Sequence, residues 1–258
     1  MTSEIDVRQN GAVLTVALNR PEVHNALTPT MIRELTAVFQ TIPENDEIRV
    51  VVLTGNGRSF CAGADLGFMR AAADYTFAEN VQDGEGIFDL MLMVEQCPRP
   101  VIGRINGAAI GGGVGLVSCC DIVVAVDRAN FGFSEARLGI VPAVISPFVL
   151  AKIGVANGRE LFLTGERFAA DKAQQIGLVQ HVVAEADLDT AVPERIDQLL
   201  QAAPGASRCQ RAHSSGGPPA QSSNARLHFR THRQPARQRR GARRHEFISR
   251  KAQTVVAE

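Results

Sequence analysis

Short apolar runs alternate with helical patterns along the first 205 residues, and the runs close on glycine or polar turn residues. VLTVAL (13–18) reads as a strand, and the NRPEVHN stretch after it carries turn signals. Thr28 then offers an N-cap and Pro29 the first helical position. The apolar residues of TPTMIRELTAVFQTI recur at helical spacing, predicting a helix. RVVVLTG (49–55) is a continuous apolar run, as expected of a strand covered on both faces. A Gly/Ser loop, FCAGADL (60–66) and a partly helical stretch to about Gln96 follow. PVIGRING (100–107), AAIGGGVGLVSCC, DIVVAV (121–126) and FGF (131–133) complete the alternation. From Ser146 the pattern turns helical through SPFVLAKIG, NGRELFLTG, AADKAQQIG and ADLDTAVPERIDQLLQAA, with Gly154, Gly165 and Gly177 at helix stops. No repeat of roughly 20–50 residues is evident. The order predicts an α/β core followed by helices.

Composition narrows this picture. A chain of 258 residues, 45% hydrophobic and 21% charged, can bury one or two cores and is neither collagen-like nor disordered throughout. No apolar run reaches about 18 residues, which excludes a spanning helix. The opening MTSEIDVRQNGAV places acids where a secretory signal needs an apolar segment, so a cytoplasmic location is expected. Cys61, Cys97, Cys119, Cys120 and Cys209 are odd in number and show no CxxC spacing, which argues for a reducing compartment and against disulfides or a metal site. The formal net charge of zero hides an asymmetry: residues 206–258 hold twelve Lys and Arg against two acids, and residues 1–205 hold fifteen against twenty-five. At face value that is an acidic body with a basic arm for nucleic acid.

Two strand-to-turn-to-helix junctions carry the candidate chemistry. One is CAGADL, with Gly63 and Ala64; the other is NGAAIGGGVGL, with Gly111, Gly112 and Gly113 opening a helix. Side-chain-free residues at a helix start leave backbone N–H groups aimed outward, assisted by the helix dipole. One such site suits an anion such as phosphate. Two N–H groups converging from separate loops suit a single developing oxyanion. For either segment alone, close backbone packing explains the glycines equally well. GGGVG is not the dinucleotide GxGxxG, and there is no Walker lysine, GxSxG elbow or HExxH. His24 and His181 lack metal-ligand spacing, and His213, His228, His232 and His245 lie in the basic tail.

At these residues the chain becomes recognisable. RPEVHNAL, VVLTGNGRSFCAGADL, RPVIGRINGAAIGGGVGLVSCCDIVVA, FGFSEARLGIVPA and LFLTGERFAADKAQQIGLV resemble, in order and spacing, the enoyl-CoA hydratase/isomerase (crotonase) superfamily over roughly residues 5–205. SEARLGIVPAVISPFVLAKIG is similar to the bacterial 3-methylglutaconyl-CoA hydratase subgroup of leucine and acyclic-terpenoid breakdown. The resemblance implies an α/β fold: a spiral core of ββα turns over 1–195, and a C-terminal helical region over 196–258 that builds homotrimers or dimers of trimers. It implies an acyl-CoA substrate and no cofactor beyond the substrate's own coenzyme A, with neither membrane nor nucleic acid as partner. Ala64 and Gly112 would supply the N–H groups that hold the thioester oxygen. Val23, Asn25 and Ala26 would form the adenine-side wall, mostly through backbone. Ala62, Gly63, Asp65, Gly111, Gly115 and Pro142 would line the rest of the substrate site. Family hydratases carry two catalytic glutamates; here one position is Gly115 and the other is Glu135.

Adding water to an α,β-unsaturated thioester throws negative charge onto the carbonyl oxygen, where two preorganised donors lower the barrier by about 3–4 kcal/mol each. A carboxylate must then handle the proton. Glu135, between FGF and LGIVPA, is expected to have its pKa raised by desolvation and to do this work, against the alternative of a solvated acid paired with Arg137. With Gly115 in place of a partner, three outcomes stay open: hydration by one glutamate with an ordered water or a substrate carboxylate, proton shuttling between carbons as in isomerases, or weak activity. Asp65 reads as structural, fixing the loop or capping the next helix. Arg70 reads as a solvated residue, with CoA phosphate or a distal substrate carboxylate as its alternative partners. Tyr75 has no assigned role. Met91 and Met93 are core or acyl-pocket residues.

Beyond QAAPGA apolar periodicity stops and Arg, Ser, Gln and Pro take over. RQRRGARRHEFISRKAQTVVAE can be encoded by codons whose next frame reads ASAEGREGMNSFLEKRKPSWR, which resembles the family ending. Residues 207–258 are therefore expected to be a frameshifted reading rather than an RNA-binding arm. Intact mass of the purified protein separates the two.

Overall fold

The computed structural model describes residues 3–203 apart from Ala73, so the expectations for the tail, including Cys209 and the helical region beyond 203, lie outside the described residues. In chain order the elements are β1 (Ile5–Asn10), β2 (Val13–Leu18), α1 (Pro29–Thr41), β3 (Val50–Gly55), α2 (Leu66–Ala72), α3 (Phe77–Glu95), β4 (Val101–Ile105), β5 (Ala109–Ile110) and α4 (Gly112–Ser118). They continue with β6 (Ile122–Val126), β7 (Asn130–Gly132), α5 (Glu135–Leu138), α6 (Ser146–Thr164), β8 (Arg167–Ala169), α7 (Ala170–Gln175), β9 (His181–Val183) and α8 (Leu188–Gln201).

The larger sheet runs β1-β2-β3-β4-β6-β9, antiparallel only at the β1–β2 hairpin. Every residue of β3 is buried, as its unbroken apolar run requires of a central strand. A smaller sheet runs β5-β7-β8, and isolated parallel bridges Leu27–Ala64 and Cys61–Ala109 carry its pairing back toward the N-terminus. Each pass of the chain thus contributes one strand to the large sheet, one short segment to the small sheet, and a helix. Successive passes stack into the expected spiral.

Local sequence explains the helix boundaries. Thr28 Oγ1 accepts from the Met31 N–H at 3.0 Å and Pro29 opens α1, which buries Met31, Ile32, Leu35 and Phe39 against the core. The partly helical stretch resolves into two helices because Thr76 and Glu79 form a capping box that starts α3 afresh. Gly154 leaves helical geometry (φ 78°, ψ 160°) and kinks α6, while Gly165 ends it in the left-handed region. Helix α8 runs unbroken across residue 196, where the sequence suggested a boundary, and packs on β3, β4 and β6. Cys61, Cys97, Cys119 and Cys120 are buried, and the Cys119 and Cys120 thiols donate to Gly115 O and Leu116 O of α4.

Candidate active site

The turn before α1 and the CAGADL segment are bonded edge to edge. The Leu27 N–H donates to Gly63 O at 2.7 Å and the Asp65 N–H to Leu27 O at 2.9 Å. In a parallel bridge those bonds use the flanking groups, so the Ala64 N–H is directed to the opposite side. Gly63 in turn lies against the start of α4, whose first residue, Gly112, has an N–H outside the helical ladder. The two segments touch backbone to backbone. A Cβ on Gly63 (φ 90°) would lie 2.8 Å from Ile110 O and 3.6 Å from the Gly112 nitrogen. A Cβ on Gly113 would lie 2.5 Å from Cys61 O. The close-packing reading of these glycines holds: only bare backbone at Gly63 and Gly113 lets the two segments meet. The Cys61 thiol below them is pushed up to about 12 by burial, partly countered by a backbone hydrogen bond from Gly63, so it stays neutral.

Glu135 is brought to this junction by strand pairing and aromatic packing. β7 pairs in parallel with β5, and the Gly111 N–H donates to Gly132 O at 2.9 Å. Phe131 and Phe133 are buried and lock the segment, Phe131 stacking on Phe168 at 5.8 Å and Phe133 meeting Phe162 edge-on at 4.8 Å. Glu135 Oε1 lies 3.1 Å from the position a Cβ on Gly111 would take. Its Oε2 is buried without a hydrogen-bond partner, and it forms no ion pair with Arg137 or any other described residue. Burial raises its pKa above the ordinary carboxylate value, with only a backbone hydrogen bond opposing.

Asp65 is the opposite case. Its Oδ1 accepts from the Gly67 and Phe68 N–H groups at 2.8 and 3.2 Å, capping α2, and its Oδ2 pairs with Arg20 at 3.0 Å. Burial would raise its pKa, but Arg20 and the two N–H groups outweigh that and hold it below the usual value. The same Arg20 donates to Ala26 O, and the wholly buried Asn25 spends its side chain internally. Asn25 Oδ1 accepts from the Arg20 N–H, and Nδ2 donates to the carbonyls of Asn56, Ser59 and Phe60. Any role of Asn25 toward a ligand is therefore left to its backbone, which sits at φ 57°. Val23 is 38% exposed beside it.

The remaining positions separate. Gly115, one turn into α4, is walled in: a Cβ there would lie 2.5 Å from Met91 Cε and 2.7 Å from Ile145 Cγ2. Met91 is fully buried and Ile145 nearly so, whereas Met93 is only partly buried. Pro142 is buried, and its carbonyl accepts from Ser146 at the start of α6. Ala62 bonds through its N–H to His24 O. Arg70 is exposed and Tyr75 is 38% exposed. The described residues hold no cluster of metal-ligating side chains and no helix long and apolar enough to cross a membrane.

Two glycine-rich loops that touch backbone to backbone thus lie next to one desolvated carboxyl, that of Glu135. The sequence profile described as enoyl-CoA hydratase/isomerase matches residues 8–238, and the chain belongs to that family, with the crotonase fold. It is 35% identical over 213 residues to the enoyl-CoA hydratase AKT6-1 of Alternaria alternata, covering 80% of this chain and 70% of that one. It is 35% identical over 208 residues to carnitinyl-CoA dehydratase of Escherichia coli K12, covering 79% and 77%. The crystal structure of an enoyl-CoA hydratase from Shewanella pealeana superposes with a TM-score of 0.79 at 35% identity, covering 87% of this chain and 84% of that one.

Proposed function

We propose that the chain is a hydratase that adds water across the α,β double bond of a short branched enoyl-CoA, 3-methylglutaconyl-CoA being the leading candidate. The observation that carries this reading is the Glu135 carboxyl against Gly111, with its buried Oε2 lacking a hydrogen-bond partner. With the thioester oxygen held by the Ala64 and Gly112 N–H groups, ionised Glu135 takes a proton from water as the water oxygen bonds to the β-carbon. The π electrons move to the carbonyl oxygen as an enolate. The same carboxyl, now protonated, delivers its proton to the α-carbon and returns to the carboxylate. One acid serves both half-steps, and no second carboxylate is needed. The names of the relatives and the resemblance of residues 134–154 to the 3-methylglutaconyl-CoA subgroup support this choice.

The apolar filling around Gly115 favours a second reading, isomerisation, in which Glu135 moves one proton between two carbons without water. A panel of enoyl-CoA thioesters, 3-methylglutaconyl-CoA included, decides between them. Hydration adds the mass of one water to the product, and isomerisation adds nothing. Product at unchanged mass from every thioester overturns the hydratase reading, and no turnover of any overturns both. We also propose that the protein works as a cytoplasmic homotrimer or dimer of trimers without an added cofactor; the exposed Val155 and Leu163 on α6 supply apolar surface for self-association.

A further inference from the structure

We infer that Met91 is the specificity-determining residue that closes the inner end of the acyl pocket; this rests on the function proposed above. Gly112 and Gly115 are three residues apart on α4 and therefore share one face of the helix, the face that meets Gly63 at its first turn. Moving inward from the oxyanion junction along that face, Glu135 covers Gly111, and Met91 and Ile145 cover Gly115. Met91 Cε and Sδ would stand 2.5 and 2.9 Å from a Cβ at Gly115, so the thioether occupies the volume a side chain there would take. Met91 arrives from α3, an independent element, and is held with no solvent exposure between Gly115 and the packed core. An acyl chain whose carbonyl is fixed at the amides and whose α- and β-carbons face Glu135 runs next into this thioether. An unbranched, flexible side chain at that point sets how many carbons fit, and shortening it opens room for more.

The test compares wild type with Met91→Ala, and with Ile145→Val, which loosens the same wall from the other side by one methyl. Two readouts are taken across thioesters of increasing acyl length: kcat/KM, and the affinity for saturated acyl-CoAs by calorimetry, which needs no turnover. The expected result is a shift of the optimum to longer or bulkier acyl groups, about tenfold in relative kcat/KM for each carbon accommodated. The saturated series should shift in parallel, with a smaller change of the same direction for Ile145→Val. Met91→Leu, which conserves volume, should keep the wild-type ranking. If either folded variant loses efficiency by one common factor at all lengths, or the saturated series keeps its order, Met91 is a core residue and the inference falls. If saturated acyl-CoAs bind neither wild type nor variants, the proposed function falls instead.

Discussion

Asp65 follows Ala64 on one glycine-rich loop and Glu135 lies against Gly111 on the other, and their surroundings oppose each other. Asp65 has an arginine, two backbone donors and a helix to cap; Glu135 has buried aromatics behind it and an oxygen with no partner. Against the effect of burial, Arg20 and two backbone donors hold the Asp65 pKa below the usual carboxylate value, and burial raises that of Glu135 above it. A carboxylate with both oxygens engaged by charged and backbone donors stiffens a loop and takes up a proton only at low pH. A carboxyl that folding leaves unsatisfied is less comfortable in the resting protein and free for transfer. The difference is what the proposed function uses: Asp65 is engaged in holding its loop, and Glu135 is left available.

The strongest way to break the comparison is to neutralise each acid in turn. Glu135→Gln keeps the shape and is expected to lower kcat by about 10²–10⁴-fold, the usual worth of a positioned acid–base group. Steady-state kinetics check this, and a variant within a few-fold of wild type would remove Glu135 from the mechanism. Next in size is the pH profile. Ionised Glu135 is the base in the free enzyme, so kcat/KM should fall as pH drops through a pKa above the ordinary carboxylate value. In Glu135→Gln the residual activity should lose that limb.

Asp65→Ala should act on stability first. It removes the cap of α2 and one side of an ion pair, costing about 1 kcal/mol in denaturant unfolding at neutral pH. Because folding lowers the Asp65 pKa, its contribution is present above the unfolded-state value and is lost as pH falls through the folded one. The gap between wild type and variant should therefore close in acid. Its kcat should fall far less than that of Glu135→Gln. The smallest expected effect has the opposite sign. Folding raises the Glu135 pKa, so the folded state favours the neutral carboxyl below the unfolded-state value and loses that advantage as pH rises through the folded one. Glu135→Gln should thus melt slightly above wild type at neutral pH, with the gain vanishing at low pH. A variant less stable at neutral pH would mean that the charged carboxylate has an unseen partner.

Much of this arrangement is legible in the chain itself. The unbroken apolar run of β3, the Thr28–Pro29 start of α1 and the paired glycine junctions announce themselves locally, because each depends on residues within a few positions. β1 does not: in IDVRQN only Ile5 is buried, so an edge strand held by backbone pairing shows no apolar alternation. The division between α2 and α3 had a readable signal in Thr76 and Glu79, three apart, that a search for apolar periodicity passes over. The roles of Ala64, Gly112 and Glu135 came from resemblance. The contacts of Gly63 with Ile110 and of Glu135 with Gly111, and the saturation of Asn25, arise from segments far apart in sequence. Met91 stayed undecided between core and pocket because its neighbour across the fold, Gly115, lies on another helix.

The stacking of successive passes through the small sheet has a kinetic consequence. Leu27 meets Ala64, Cys61 meets Ala109, and Ile110 meets Gly132, so the reactive centre exists only once three remote stretches have closed on one another. Such closures are slow relative to helix formation. During refolding from denaturant, helical circular dichroism should therefore recover ahead of turnover, which makes recovered activity a late and stringent reporter of the finished spiral.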